Sequence, residues 1–357
     1  MRALGITYDT GFTSAGTTTH EPFDPDLVRR EMRVIHDELH CDAVRVTGGI
    51  QDRLETAARH AADAGLEVWY SPFTNGLTQD ELMAFLLDGA ERAERIRRSG
   101  ASVVFLTGSE ITLFTHGFLP GDDLQARTAL MADPARFRAL LPELHTRINA
   151  FLGRAVTAVR ERFAGPVGYA SLPFEGVDWT PFDLIATDAG YRDANTAPDF
   201  AERLAGRTAQ GKPFAVTEFG CTTHRGSADL GGHGESVIEY DDRARPVRMT
   251  EPLVRDEQEQ ATYIRELLDV YDKAGVDAAF VNTFARRDLP TSSDPSRDFD
   301  KAGYGIVKIL APGTERPRPD VPWAPKAAFQ TLATHPRTVN HDSDVITGPD
   351  RADPQHR

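Results

Sequence analysis

The stretch KPFAVTEFGCTT, Lys212–Thr223, contains a short apolar strand that ends in a glutamate, Glu218. The stretch VVFLTGSEITLF, Val103–Phe114, follows the same pattern earlier in the chain, with Glu110 in the equivalent position. Short apolar runs bounded by glycine are typical of strands that are buried in a parallel sheet. The two stretches therefore predict two equivalent strands of one sheet, each with an acid at its carboxyl end.

Six further apolar runs alternate with segments of helical periodicity, which is the pattern of parallel strands joined by crossover helices. Helix signals lie between the runs: Asp24 and Pro25 begin a helix, Thr78 and Glu81 form a capping box, and Gly275 ends a helix. Eight such units predict an α/β protein with a single (β/α)8 TIM barrel. The predicted strands span residues 3–8, 42–47, 67–72, 102–107, 166–171, 183–188, 213–218 and 277–284.

The chain of 357 residues is long enough for one barrel, which we assign to residues 1–335. Long loops, 111–134 and 220–255, follow the fourth and seventh strands, and we expect them to form lids. Residues 336–357 are polar and contain several prolines, so we predict a mobile tail there.

Composition limits the classes of partner. The net charge of −14 disfavours nucleic acid and anionic membranes, because both are repelled by a negative field. No signal-peptide pattern and no 18-residue apolar stretch is present, and the two cysteines have no CxxC spacing. We therefore expect a soluble, cytoplasmic protein. The sequence carries no indication of its oligomeric state.

No cofactor motif is present, and we expect neither a cofactor nor a metal. The histidines of the two long loops, His116, His224 and His233, lack the spacing of metal ligands.

The carboxyl ends of the barrel strands converge over one opening, so Glu110 and Glu218 on the fourth and seventh strands are expected to face each other. Two facing carboxyls suit glycosidic cleavage, and a retaining enzyme holds them about 5–5.5 Å apart. Arg45 on the second strand is placed to keep Glu218 ionised, and Tyr191 to hydrogen-bond the same carboxylate. We therefore expect a raised pKa for Glu110 and an ordinary or lowered pKa for Glu218.

Six residues near the strand ends are candidates for substrate binding. Flat apolar rings suit a sugar face, but core packing is the alternative use of a tryptophan. Rim hydrogen bonding is the alternative for the two aspartates, and Arg45 could instead be an ordinary buried ion-pair partner. The candidates are Asp9, Trp69, Ser109, Asp188, Asn282 and Phe284.

The stretches CDAVRVT (41–47), DAGYRD (188–193) and KPFAVTEFG (212–220) occur in an order that resembles clan A of the glycoside hydrolases. The closing segment from Tyr304 to Ala333 resembles the way that many of these enzymes end. The resemblance implies a retaining (β/α)8 enzyme with its acid/base on strand four, its nucleophile on strand seven, and a carbohydrate substrate. Similar actinobacterial sequences are called abortive-infection proteins, a name that implies no chemistry.

Two positions depart from the clan's pattern. Ser109 stands where the clan has an asparagine that binds the sugar's 2-hydroxyl. In the clan, strand eight usually ends in a tryptophan that lies beneath the sugar, and this chain has Phe284 there instead. Both departures concern substrate recognition and leave the two glutamates in place.

The leading hypothesis is a retaining glycosidase or transglycosidase that acts on a small soluble glycoside. One alternative is a metal-dependent sugar isomerase or epimerase with Glu110, Asp188 and Glu218 as ligands. The other is a barrel that binds sugar without cleaving it. Loop 220–255 carries four acids that predict an acidic rim and hence a neutral or cationic substrate such as an amino sugar. They are Glu235, Glu239, Asp241 and Asp242.

Overall fold

A computed structural model describes residues 1–336 of the chain. Eight parallel strands form a closed barrel in which each strand pairs with its sequence neighbours and β1 pairs with β8. The predicted TIM barrel is therefore confirmed. The strands are β1 (Ala3–Asp9), β2 (Ala43–Gly48), β3 (Glu67–Pro72), β4 (Val103–Ser109), β5 (Val167–Ser171), β6 (Ile185–Thr187), β7 (Phe214–Phe219) and β8 (Ala278–Val281).

Helices alternate with the strands and begin and end where the local signals indicate. The Asp24 side chain accepts a hydrogen bond from the backbone of Asp26, Thr78 and Glu81 form the capping box, and Gly275 adopts a left-handed conformation with φ 74°. Residues 1–336 contain α1 (Pro25–Asp37), α2 (Gln51–Asp63), α3 (Gln79–Arg98), α4 (Ile111–Phe114), α5 (Leu124–Ala129), α6 (Pro134–Arg160), α7 (Phe200–Thr208), α8 (Glu257–Ala274) and α9 (Ala327–Ala333).

The barrel strands are buried on both faces, which explains their nearly continuous apolar sequences. One face packs beneath the surrounding helices. The other fills the barrel interior with mostly small residues around the large rings of Trp69 and Phe280. The barrel is therefore a packed core with no internal channel, and a ligand site has to lie at its mouth.

Both long loops contain regular structure. Residues 111–134 include α4, α5 and a 3₁₀ turn at Leu130–Ala132. Residues 220–255 include two 3₁₀ turns and an antiparallel hairpin that pairs Ile238–Tyr240 with Pro246–Met249. Two further hairpins pair Thr13–Ser14 with Thr17–Thr18 and Val307–Ile309 with Trp323–Pro325.

The predicted tail at 336–357 lies, apart from its first residue, outside the described residues, so its boundary with the barrel at 1–335 stays a prediction. No helix within residues 1–336 combines the length and the apolar composition that a membrane crossing needs.

Candidate active site

Glu218 lies on β7 and has a carboxylate that three side chains hold in place. Oε1 accepts a hydrogen bond from Arg45 Nη1 at 2.9 Å. Oε2 accepts hydrogen bonds from the Tyr191 hydroxyl at 3.1 Å and from Asn282 Nδ2 at 3.3 Å. Asn282 also donates to the Tyr191 hydroxyl at 2.8 Å. Because both oxygens are bound, the carboxylate has a defined orientation before any substrate arrives.

Arg45 on β2 is fully buried and lies at the centre of the site. Its Nη1 donates to Asp188 Oδ1 at 2.8 Å as well as to Glu218, and Nη2 donates to Ser109 Oγ at 3.0 Å. Nε donates to Ser71 Oγ at 3.0 Å. One guanidinium is therefore shared between two carboxylates, and only that of Glu218 retains some exposure, with 14% against 0% for Asp188.

Glu110 follows β4 directly, and its backbone has left-handed dihedral angles of φ 47° and ψ 36°. Such a conformation costs a residue other than glycine about 1–3 kcal/mol and persists only where the surroundings enforce it. Here the backbone N–H donates to the carbonyl of Ala170, and the Glu110 carbonyl accepts from Leu113 and Phe114. Within residues 1–336, no group donates a hydrogen bond to the Glu110 carboxyl. The two glutamates thus differ sharply in their surroundings.

Burial raises the pKa of both carboxyls. For Glu110 the pKa lies well above its ordinary value, and the charges of Asp188 and Glu218 raise it further. For Glu218, burial and then the charge of Asp188 raise the pKa to about 7, against the opposing effect of Arg45. The pKa of Glu218 is thus raised where an ordinary or lowered value was expected, because burial and the charge of Asp188 together outweigh the effect of Arg45.

Ser109 and Asp188 belong to this network and do not reach the opening. They are 2% and 1% exposed. The Ser109 hydroxyl donates a hydrogen bond to Asp188 Oδ2, and both side chains also accept hydrogen bonds from Arg45. Both side chains hold Arg45, and a role of either in substrate binding stays a prediction.

Trp69 and Phe284 are also fully buried, and their contact with a sugar stays a prediction. Trp69 packs against Phe280 in the barrel interior, and its Nε1 donates to Glu67 at 2.7 Å. Phe284 lies after the end of β8 and packs edge-to-face on Trp323, with 5.4 Å between the ring centroids. Core packing, the alternative use, is what the structure shows.

Asp9 remains partly exposed at the end of β1. Its carboxylate accepts hydrogen bonds from the backbone of Gly11 at 2.8 Å and from the Thr19 hydroxyl, which holds the loop after β1. A role of Asp9 in substrate binding stays a prediction.

A trio of phenylalanines was missed by the sequence reasoning. Phe12, Phe73 and Phe114 are half-buried and pack edge-to-face on one another, with centroid separations of 4.9–5.4 Å. They follow β1, β3 and β4 within a few residues, so an inventory of aromatic residues after strand ends would have found them. Glu175 was missed as well, because it lies inside a connection and carries no strand-end signal.

A cavity of about 820 Å³ adjoins the trio at Phe12. Its walls come from the loops after β1 and β8 and from both long loops, which contribute Leu124 and Tyr240. The two long loops therefore border the same cavity, although neither Glu110 nor Glu218 is among the residues that line it.

The expected acidic rim is corrected by the structure, because three of its four acids are paired with arginines. Glu235 pairs with Arg286, Glu239 with Arg248 at 2.6 Å, and Asp241 with Arg245 at 2.7 Å. These arginines cancel most of the negative charge, so the rim gives no reason to expect a cationic substrate.

No group of three or more His, Cys, Asp or Glu side chains suited to a metal ion occurs in the described part of the chain. Between Asp188 and Glu218 the positive charge is supplied by Arg45.

No known protein-family profile matches the chain, and no curated protein matches it. Among solved structures it is similar to a GH113 β-1,4-mannanase, with 15% identity, a TM-score of 0.58 and coverage of 93% of this chain and 98% of that one. The GH113 β-mannanase AaManA from Alicyclobacillus acidocaldarius, solved in complex with ManMIm, is 18% identical with a TM-score of 0.55 over 93% and 96% of the chains. A β-glucuronidase from Parabacteroides merdae is 15% identical with a TM-score of 0.52 over 93% of this chain and 36% of that one. At these identities the likeness establishes the fold.

Proposed function

We propose that this protein is a retaining glycosidase or transglycosidase, with Glu218 as the nucleophile and Glu110 as the acid/base. The observation that carries the proposal is the contrast between two neighbouring carboxyls. One is bound on both oxygens and lies against a guanidinium, whereas the other is partly exposed and accepts no hydrogen bond within residues 1–336. An oriented anion suits attack on carbon, and a carboxyl with a raised pKa suits proton donation.

In the first step Glu110 donates its proton to the glycosidic oxygen while a Glu218 oxygen attacks the anomeric carbon. The bond to the leaving group breaks, its electron pair goes to the protonated oxygen, and a glycosyl ester forms on Glu218. The hydrogen bonds from Tyr191 and Asn282 hold Oε2, and Arg45 holds Oε1. In the second step Glu110 accepts a proton from water or from a sugar hydroxyl, which attacks the ester and releases Glu218.

A neutral glycoside is the substrate that the surroundings favour. The six charged residues that line the cavity are all in ion pairs: Arg245 with Asp241, Arg286 with Glu235 and Asp288, Arg287 with Glu31, and Glu21 with Arg53. Phe12, Leu124 and Tyr240 give the cavity apolar walls that suit a flat or apolar part of a ligand. Because two neighbours are mannanases by name, mannosides are the first sugars to test.

The metal-dependent isomerase is disfavoured, because Arg45 already bonds two of the three acids that would be its ligands. The barrel that binds sugar without cleaving it remains the second candidate, since every contact of Glu218 is compatible with binding alone. We place the protein in the cytoplasm in this proposal, because it has two cysteines and no thiol pairing pattern.

The test is a panel of activated 2-fluoro glycosides followed by mass spectrometry of the intact protein. A retaining enzyme accumulates a covalent adduct, and peptide mapping is expected to locate it on Glu218. Glu110→Gln should lose about 10²–10⁴-fold in turnover of glycosides with poor leaving groups, while dinitrophenyl glycosides still form the adduct. The exposed Glu143→Gln is the matched control. An adduct on another residue would refute the assignment, and saturable binding without adduct or turnover across the panel would favour the binding barrel.

A further inference from the structure

Glu175 is a buried carboxyl that the reaction steps above do not use. It lies after β5, is fully buried, and pairs with no lysine, arginine or histidine within residues 1–336. An unpaired carboxyl in such a place is costly unless it has a role or a full set of donors.

The donors to Glu175 come from the turn that follows Glu110, from β5 and from the residue after β5. Oε1 accepts from the Thr112 hydroxyl at 2.6 Å, and Oε2 accepts from the backbone N–H of Leu172 at 2.8 Å. The Tyr169 hydroxyl lies 2.9 Å from both oxygens and accepts a hydrogen bond from the backbone N–H of Ile111 at 3.0 Å.

Ile111 and Thr112 are the two residues that follow Glu110. Their attachment to Tyr169 and Glu175 fixes the first turn of α4 and, with it, the left-handed backbone of Glu110. No such conformation would be kept by the short α4 alone, because a helix of four residues has almost no stability of its own.

We propose that Glu175 is a positioning residue for Glu110: it anchors the turn that presents the Glu110 carboxyl and places a second carboxyl behind it. The proposal rests on the proposed function in treating Glu110 as the acid/base. Its structural part, the control of the Glu110 carboxyl by Glu175, holds for any chemistry at this site.

The second carboxyl acts through its charge. It is one of the groups that raise the pKa of Glu110, and its own pKa is raised to about 7 by burial, against the pull of its hydrogen bonds. A carboxylate at Glu175 opposes the loss of the Glu110 proton, because the two negative charges repel each other. The charged and titratable groups that face Glu110 from other elements are Arg45 on β2, Tyr169 on β5, Glu175 after β5, Asp188 after β6 and Glu218 on β7.

The test compares Glu175→Gln with the wild-type protein by ¹³C NMR titration of glutamate carboxyls, with the Glu110 signal assigned through Glu110→Gln. Glutamine keeps the shape and removes the charge that raises the pKa of Glu110, so the Glu110 midpoint should fall by about half a pH unit or more. The basic limb of kcat/KM should move to lower pH by the same amount. The exposed Glu143→Gln is again the control and should leave the Glu110 midpoint in place.

A folded Glu175→Gln protein with an unmoved Glu110 midpoint would overturn the proposal. If that variant does not fold, Glu175→Asp carries the test: it keeps the charge but shortens the reach to Thr112, so kcat should fall at least tenfold while KM and the Glu110 midpoint stay near their wild-type values. Unchanged kcat would refute the anchoring. If the wild-type protein cleaves no glycoside, the proposed function fails. The NMR midpoint of Glu110 in Glu175→Gln still tests whether Glu175 controls the Glu110 carboxyl.

Discussion

Asp188→Asn is the substitution that most directly tests how the site divides its charge. Asp188 and Glu218 both bond Arg45 Nη1, at 2.8 and 2.9 Å, so their bonded oxygens lie at most about 5.7 Å apart. Asparagine keeps an oxygen for Arg45 and a similar shape, but removes one negative charge. The guanidinium then serves Glu218 alone.

The magnitude follows from Coulomb's law. Two unit charges about 5.7 Å apart interact by about 3 kcal/mol at an effective dielectric constant of about 20, which corresponds to roughly 2 pKa units. The pKa of Glu218, raised to about 7 in the wild-type protein, should therefore fall by that amount. Because Glu218 has to be ionised to attack, activity is lost as the pH falls through its pKa. Asp188→Asn should move this acid limb to lower pH.

The assay is the pH dependence of kcat/KM with a neutral aryl glycoside, together with ¹³C NMR titration of the Glu218 carboxyl. Asp183→Asn is the control, because Asp183 lies before β6, at the end opposite to Asp188, and pairs with Arg160 at 2.8 Å. It should leave the acid limb in place. An acid limb of Asp188→Asn that stays in place or moves to higher pH would refute the reasoning that Asp188 competes for Arg45.

Three further substitutions separate roles at the site from roles in the core. Tyr191→Phe removes one of the two donors to Glu218 Oε2, so kcat should fall about 10–100-fold with little change in the free energy of unfolding. Arg45→Met leaves two carboxylates without their counterion, and urea unfolding should show a loss of about 3–5 kcal/mol, whereas a stable variant would contradict the central role of Arg45. Trp69→Phe removes the hydrogen bond to Glu67 and part of the ring, so the free energy of unfolding should fall by about 1–3 kcal/mol while KM stays unchanged. A raised KM would place Trp69 in the binding site.

The fold and the positions of Glu110 and Glu218 at the ends of two strands follow from local features of the sequence. The strands are read from short apolar runs and the helices from apolar residues spaced by about 3.6 positions, and eight alternating units of this kind form a closed barrel. The capping box at Thr78 and the helix end at Gly275 depend only on neighbouring residues, and both were predictable. An acid at the carboxyl end of a strand lies at the mouth of the barrel, so the location of both glutamates was predictable.

Depth within the barrel could not be read in this way. Alternation along a strand tells which face a side chain takes, but the height of a residue in the barrel depends on the stagger between strands. Trp69 accordingly lies in the interior packing, and Phe284 packs on Trp323 beyond the end of β8. Glu175 is joined to Thr112 across 63 positions and carries no local pattern of its own.

The sequence by itself thus determined the barrel, the two glutamates at its mouth and the presence of an arginine near them. The tertiary structure alone decided how the charge of that arginine is divided. Arg45 meets Asp188 and Glu218 across 143 and 173 positions, and such separations leave no periodicity to detect. Ion-pair partners are chosen by the three-dimensional packing of side chains, and the pKa of each carboxyl then depends on how many neighbours share the same counterion.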